Sequence, residues 1–249
     1  MLNWGLMAWN IADLTEHVVD VVPERVALIV ADEPRTYGQL EERANRLAHH
    51  LAARGVRAGD HVGIYAFNSH AFVETLFAAY KLRAVPVNVN YRYVETELRY
   101  LFENADLVAL VHDAQFAPRI AATRGALPLL QHLVAIDDGS GQDYVGIGSV
   151  GYEDALAGAG PVRDFDERSD DDIYMLYTGG TTGMPKGVVW RQEDVLCVLG
   201  GLVNFETGVR VRDEWEFANA AAEGARRCGS RDRDRTAHAR RRAGPRSTG

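Results

Sequence analysis

Cysteine is nearly absent from this chain of 249 residues: Cys197 and Cys228 are the only two, and their spacing fits no metal-ligand pattern. A disulfide framework is excluded, and a reducing, cytoplasmic setting is expected. Long apolar runs are missing too. None approaches the roughly 18 residues needed to cross a bilayer, and the opening MLNWGLMAWN lacks a basic stretch followed by an apolar one. No membrane span and no secretion signal are expected. No histidine pair has H-x-x-x-H spacing, and the adjacent His49 and His50 would diverge by about 100° on a helix, so they do not clamp one ion. No metal site is assigned.

What is present is the composition of a globular protein, 47% apolar and 25% charged, long enough to bury a sizeable core. The net charge of −8 is unevenly spread. Residues 225–249 hold nine arginines against Asp232 and Asp234, a balance of +7, which leaves −15 on residues 1–224. That final stretch contains no Val, Ile, Leu, Met, Phe, Trp or Tyr. It has almost nothing to offset a backbone ordering cost of roughly 1–2 kcal/mol per residue, so residues 225–249 read as a disordered basic tail. The tail has no aromatic residue for base stacking and the body is strongly acidic, so no nucleic-acid partner is assigned.

Upstream of residue 225, apolar runs of strand length alternate with helical patterns. This is the signature of an α/β fold with β-α units around mainly parallel sheets. The clearest helix opens at Thr36, where T-x-x-Q to Gln39 fits a capping box. It places Leu40, Ala44, Leu47 and Leu51 on one face and stops at Gly55, a residue suited to a left-handed cap. A strand over 61–67, a helix over 69–83 with Phe72, Leu76, Ala79 and Tyr80 buried, and a strand over 84–89 follow. Pro86 marks that last strand as an edge or a strand start. Tyr37, Phe72, Tyr80 and Tyr100 are taken as core. The pattern continues with a helix over 95–103, a strand over 107–112, a helix after Asp113 and a strand over 133–136. Residues 139–168 read as connection with one short helix at 152–157. A strand at Ile173–Tyr177, a glycine-threonine loop, a strand at 187–190 and a helix over 193–203 complete the pattern.

The loop carries the chemistry. Tyr177-Thr178-Gly179-Gly180-Thr181-Thr182-Gly183-Met184-Pro185-Lys186-Gly187-Val188 packs glycines, threonine hydroxyls and a lysine into a few positions. Glycine lets backbone N–H groups point inward, threonine adds donors, and lysine adds compact positive charge, which together suit a polyphosphate. The string is neither G-x-x-x-x-G-K-[ST] nor G-x-G-x-x-G, because Pro185 and Gly187 flank Lys186. An ordinary turn between two strands seldom needs this combination.

The string resembles the nucleotide-binding signature of the adenylate-forming acyl-CoA synthetases, [YF]-T-S-G-T-T-G-x-P-K-G-V, with Gly179 in the serine position. Residues 36–40 with 44–48, and 85–93, also resemble segments of that family. Trp190-Arg191 and Arg163-Asp164-Phe165 look most like its branch acting on long-chain fatty acids and steroid side-chain carboxylates. The resemblance covers about residues 10–224.

It implies an N-terminal portion of an adenylation domain over residues 1–224. It also implies that Thr178, Gly179, Gly180, Thr181, Thr182, Gly183 and Lys186 hold the phosphates of ATP, with Mg2+ and coenzyme A as the other cofactors. The implied substrate is a carboxylic acid, a fatty acid or a steroid side chain. No catalytic residue is assigned, because the family's other motifs lie downstream of this loop and none is found here; Tyr93-Val94-Glu95-Thr96-Glu97 imitates one of them by accident. The expectation is a chain cut short, with residues 225–249 read out of frame, that exposes sheet surface and tends to self-associate. The alternative is a non-catalytic nucleotide-binding fragment or a partner of a full-length homologue.

Overall fold

The computed structural model describes residues 9–125, 127–178, 184–199, 202, 211–220 and 222–223. Helix α2 (Tyr37–Ala53) starts where its sequence dictates. The Thr36 hydroxyl accepts from the Gln39 N–H at 3.2 Å, and the Gln39 side chain accepts from the Thr36 N–H at 2.9 Å, so both arms of the capping box are made. Gly55, at φ +93°, ends the helix in the conformation that only glycine adopts freely.

Three elements precede it that the sequence patterns did not announce. Helix α1 (Ile11–Val21) is capped by the Asn10 side chain. Strands β1 (Val26–Val30) and β2 (Glu33–Thr36) form an antiparallel hairpin. Its turn residues Ala31 and Asp32 take φ +49° and +67°, a backbone normally signalled by Asn-Gly or Asp-Gly, and neither is present.

The central sheet is five parallel strands: β3 (His61–Tyr65), β4 (Val85–Asn88), β5 (Leu107–Asp113), β6 (His132–Ile136) and β7 (Ser149–Gly151), in spatial order β4-β3-β5-β6-β7. β4, which carries Pro86, is an edge strand of this sheet. β7 lies within the stretch expected to be connection, because three residues carry no apolar run. Helices cover both faces, as parallel strands require. Val111 and Val134 point toward α2, α3 (His70–Lys81) and α6 (Tyr152–Ala157), while their neighbours Leu110 and Leu133 join the cluster under α4 (Glu95–Asn104) and α5 (Ala117–Arg124). Strand period two thus feeds two cores.

Helix α3 buries Ala79 and Tyr80 as expected, but the rest of its inward face differs. Ala71, Glu74, Thr75, Ala78, Ala79, Tyr80 and Lys81 are buried, while Phe72 and Leu76 are half-buried. Two of the buried residues are charged, because α3 meets ionic partners on α1 and α2. Of the four aromatics taken as core, Tyr80 is buried and Tyr37, Phe72 and Tyr100 are half-buried.

Beyond a long connection, β8 (Ile173–Thr178) and β9 (Lys186–Arg191) form a second antiparallel hairpin, followed by α7 (Gln192–Val198). Residues 214–220 are helical and return against α1, with Trp215 packed edge-on to His17 at 4.4 Å. Residues 224–249, and so the basic tail, lie outside the described residues.

Candidate functional site: the hairpin β8–β9 and its cleft

Alternation along β8 and β9 decides which side chains meet the domain. Tyr174, Leu176 and Thr178 face Trp190, Val188 and Lys186, whereas Met175 and Tyr177 pair with Val189 and Gly187 on the opposite face. Met175 and Tyr177 pack onto the cluster under α4 and α5. The Tyr177 hydroxyl donates to Asn104 Oδ1 at 2.9 Å, which ties the hairpin to the end of α4. Burial, with Tyr100 and Asp106 nearby, pushes the Tyr177 phenol above its ordinary pKa, so it stays a neutral donor. Its ring lies across Gly187, where a β-carbon would come within 3.1 Å of two ring carbons. The glycine after Lys186 is therefore a packing requirement of Tyr177.

Of the seven residues the motif singled out, the described ones are Thr178 and Lys186. They are register partners at the far end of the hairpin, both exposed, with Pro185 buried beside them. Gly179, Gly180, Thr181, Thr182 and Gly183 lie outside the described residues. Among the described residues Lys186 has no ion-pair partner. The acids at 170–172 sit at the opposite end, where Arg191 lies 3.8 Å from Asp170 and 3.5 Å from Asp171, and Arg83 pairs with Asp172 at 2.9 Å. The loop end thus carries positive charge, and the acids are neutralised a strand's length away.

Next to Tyr177 a cleft of about 320 Å³ opens over the carboxyl ends of β3 and β4, lined by Asn68, Phe72, Asn88, Asn90, Tyr91 and Arg92, among others. In open α/β sheets ligands bind outside the carboxyl ends of strands, where the strand order reverses; here β3 lies between β4 and β5, the point of reversal. The turn carrying Asn90–Tyr93 is held by Arg119, which donates to the Tyr91 and Tyr93 carbonyls at 3.3 and 3.2 Å and to the Tyr65 hydroxyl at 3.1 Å. The Tyr65 hydroxyl in turn donates to the Tyr93 carbonyl at 2.9 Å. Sequence reading did not pick out the cleft or Arg119; the alternating V-N-V-N-Y-R-Y was the available signal. Tyr93 and Glu97 serve here as helix entry, with Glu97 accepting from the Val94 N–H.

Fold and site together define the class: an α/β module in which a parallel five-stranded sheet carries a cleft at its carboxyl edge and a neighbouring hairpin ends on the Thr178–Lys186 pair. Residues 15–219 match the model of the AMP-binding enzyme family, and the chain belongs to that family. It is 55% identical over 217 residues to 3-oxocholest-4-en-26-oate–CoA ligase of Rhodococcus rhodochrous, covering 87% of this chain and 39% of that protein. It is 53% identical to a medium/long-chain-fatty-acid–CoA/3-oxocholest-4-en-26-oate–CoA ligase of Mycobacterium tuberculosis, with the same two shares. The chain therefore spans about 39% of the length of these relatives. Among solved structures, the anthranilate CoA ligase AuaEII in complex with anthranoyl-AMP superposes with TM-score 0.72 at 26% identity, over 87% of this chain and 45% of that one. The N-terminal domain of FACL13 from Mycobacterium tuberculosis superposes with TM-score 0.64 at 30% identity, over 75% of this chain and 45% of that one. Among the described residues no helix is long and apolar enough to cross a membrane.

Proposed function

We propose that residues 1–224 form the N-terminal part of an adenylate-forming acyl-CoA synthetase, and that the hairpin presents Thr178, Gly179, Gly180, Thr181, Thr182, Gly183 and Lys186 to the β- and γ-phosphates of ATP. One observation carries the reading: the hairpin ends on the Thr178–Lys186 pair, with the lysine exposed, while the neighbouring acids are held at its other end. The full reaction is attack of a carboxylate on the α-phosphorus, giving acyl-adenylate and pyrophosphate, followed by displacement of AMP by the thiol of coenzyme A. Charge gathers on oxygen in both steps, so preorganised donors matter more than a protein nucleophile. A fatty acid or steroid side-chain carboxylate is the proposed substrate, as the names of the relatives support. Among the described residues no cluster of three His, Cys, Asp or Glu could hold a metal ion, so none is assigned to Mg2+.

Calorimetric titration tests this. The wild-type chain is expected to bind ATP without forming AMP when acyl substrate is added. Lys186→Ala and a Thr181→Ala/Thr182→Ala pair should each weaken ATP binding about tenfold, roughly 1.4 kcal/mol. Unchanged affinity in both would sink the phosphate assignment.

A second reading is that the chain pairs with another copy or with a full-length homologue. Leu176, Val188 and Trp190 support it: they lie on the outer face of the hairpin and remain 40%, 39% and 46% exposed. Sedimentation velocity should show a mass that rises with concentration; a monomer at every concentration would refute self-association.

A further inference from the structure

We propose that Asp172 and Gln192 are positioning residues for the phosphate loop, fixing the angle at which the hairpin β8–β9 leaves the domain. The inference rests on the phosphate reading above. The two residues are the feet of the hairpin: Asp172 directly precedes β8, Gln192 directly follows β9, and the Gln192 N–H donates to the Asp172 carbonyl at 2.8 Å. Both are buried, at 7% and 1% exposure, among mostly half-buried or exposed hairpin residues.

Each foot reaches a different part of the body. The Asp172 carboxylate accepts from Asn10 Nδ2 at 2.9 Å, from Arg83 Nε at 2.9 Å and from the Ser169 N–H at 3.2 Å. Gln192 Oε1 accepts from the Ile11 N–H at 2.9 Å, and its Nε2 donates to the Ile173 carbonyl at 3.4 Å. The first turn of α1, the end of α3 and both strands of the hairpin therefore converge on two side chains. Asn10 belongs to the same device, because its Oδ1 also caps α1 by accepting from the Ala12 N–H at 2.8 Å. Arg83 reaches Asp172 from a left-handed backbone, φ +58°, just past α3.

Leverage makes this a positioning role. Six residue steps from each foot place the Thr178–Lys186 end about 20 Å away, so a tilt of about 6° moves that end by about 2 Å. A phosphate cradle made of directional N–H and O–H donors does not tolerate such a shift. β9 is exposed along its whole length and gives no sideways support, so the angle is set by the feet at one end and, on β8, by the packing of Met175 and Tyr177 and the Tyr177–Asn104 hydrogen bond.

Hydrogen exchange of the full chain, read beside ATP titration, tests the proposal. Asp172→Asn turns an amide toward the amide of Asn10, and Gln192→Ala removes both side-chain bonds. Each should raise exchange of β8 and β9 peptides about tenfold and weaken ATP binding about tenfold, with β3 and β5 peptides unchanged. The paired exchange Asn10→Asp/Asp172→Asn reverses donor and acceptor between these two side chains and keeps the cap of α1, though not the Ser169 bond or the Arg83 charge pair. It should restore part of both readouts relative to Asp172→Asn alone. Unchanged hairpin exchange, loosening with unchanged ATP affinity, or loosening that spreads equally to β3 and β5 would each overturn the role. If the wild-type chain binds no ATP, the phosphate reading and this role fall together; wild-type binding with a rigid hairpin in both variants removes the anchor alone.

Discussion

Lys81→Met loses about 3–5 kcal/mol of unfolding free energy, because it strips a buried ionic cluster of its central cation and leaves the partners buried. Lys81 ends α3 with its side chain 2% exposed, and its Nζ lies 2.5 Å from Glu16 Oε1 and 2.8 Å from Glu41 Oε2. Arg168 pairs with Glu16 at 2.7 Å and with Asp13 at 2.6 Å, while Arg163 pairs with Glu41 at 2.8 Å and with Asp20 at 3.1 Å. Three cations thus meet four carboxylates where α1, α2, α3 and the connection before β8 come together. Methionine fills much of the lysine volume, so packing loss is small and the cost is electrostatic.

The pH dependence separates that cause from a packing defect. Burial alone would push the Glu16 carboxyl up, but Lys81 and Arg168 overcome it and hold it below the ordinary carboxylate value. In the wild type this contribution is present above about pH 4.3, the unfolded value, and is lost as pH falls through the folded one. Without Lys81, burial gains against the remaining arginine and the carboxyl rises, so acidification relieves the variant. Urea unfolding should show the gap between wild type and Lys81→Met narrowing from pH 7 toward pH 5. A gap under about 1 kcal/mol, or one that does not move with pH, would reject the electrostatic account.

Lys81 also shows where sequence reading stops. The elements that announce themselves locally were legible: Thr36 with Gln39 wrote the start of α2, Gly55 its end, and the runs at 107–112 and 133–136 were strands of a parallel sheet. Local signals failed where the decisive partner is remote. The inward face of α3 follows Glu74 and Lys81 because Arg43, Glu16 and Glu41 wait on other helices, and no periodicity within 70–81 encodes them. β7 needs only three residues because β6 supplies its ladder. The hairpin β1–β2 turns on two left-handed residues that are not glycine. At the candidate site the phosphate motif was legible, since its chemistry is contiguous, but its anchors were not: Asn10 meets Asp172 across 162 positions and Gln192 meets Ile11 across 181.

His112 makes the same point and leads to the second large effect: acidification from pH 6.5 to pH 4 should remove about 3 kcal/mol of stability through this one side chain. His112 is completely buried on β5. Its Nδ1 lies 2.9 Å from the Asp113 carbonyl, which can only accept, so Nδ1 carries the proton; Nε2 then accepts from Ser149 Oγ at 2.9 Å, reaching across β6 to β7. Burial lowers the imidazole to about 4, against smaller opposing pulls from the Asp113 carbonyl and Asp138. A folded value below the unfolded one means that the unfolded chain takes up the proton first. Stability is therefore full above about pH 6.5 and drains as pH falls toward 4. His50 and His132, lowered by burial and by Arg54, act in the same direction, whereas Asp113, raised by burial, opposes them. Subtraction isolates the residue. His112→Asn has its own cost at pH 7.5, but its urea midpoint should fall less steeply between pH 6.5 and 4 than that of the wild type. Parallel pH profiles for the two proteins would show that native His112 takes up its proton no later than the unfolded chain does, and would refute the buried neutral imidazole that accepts from Ser149.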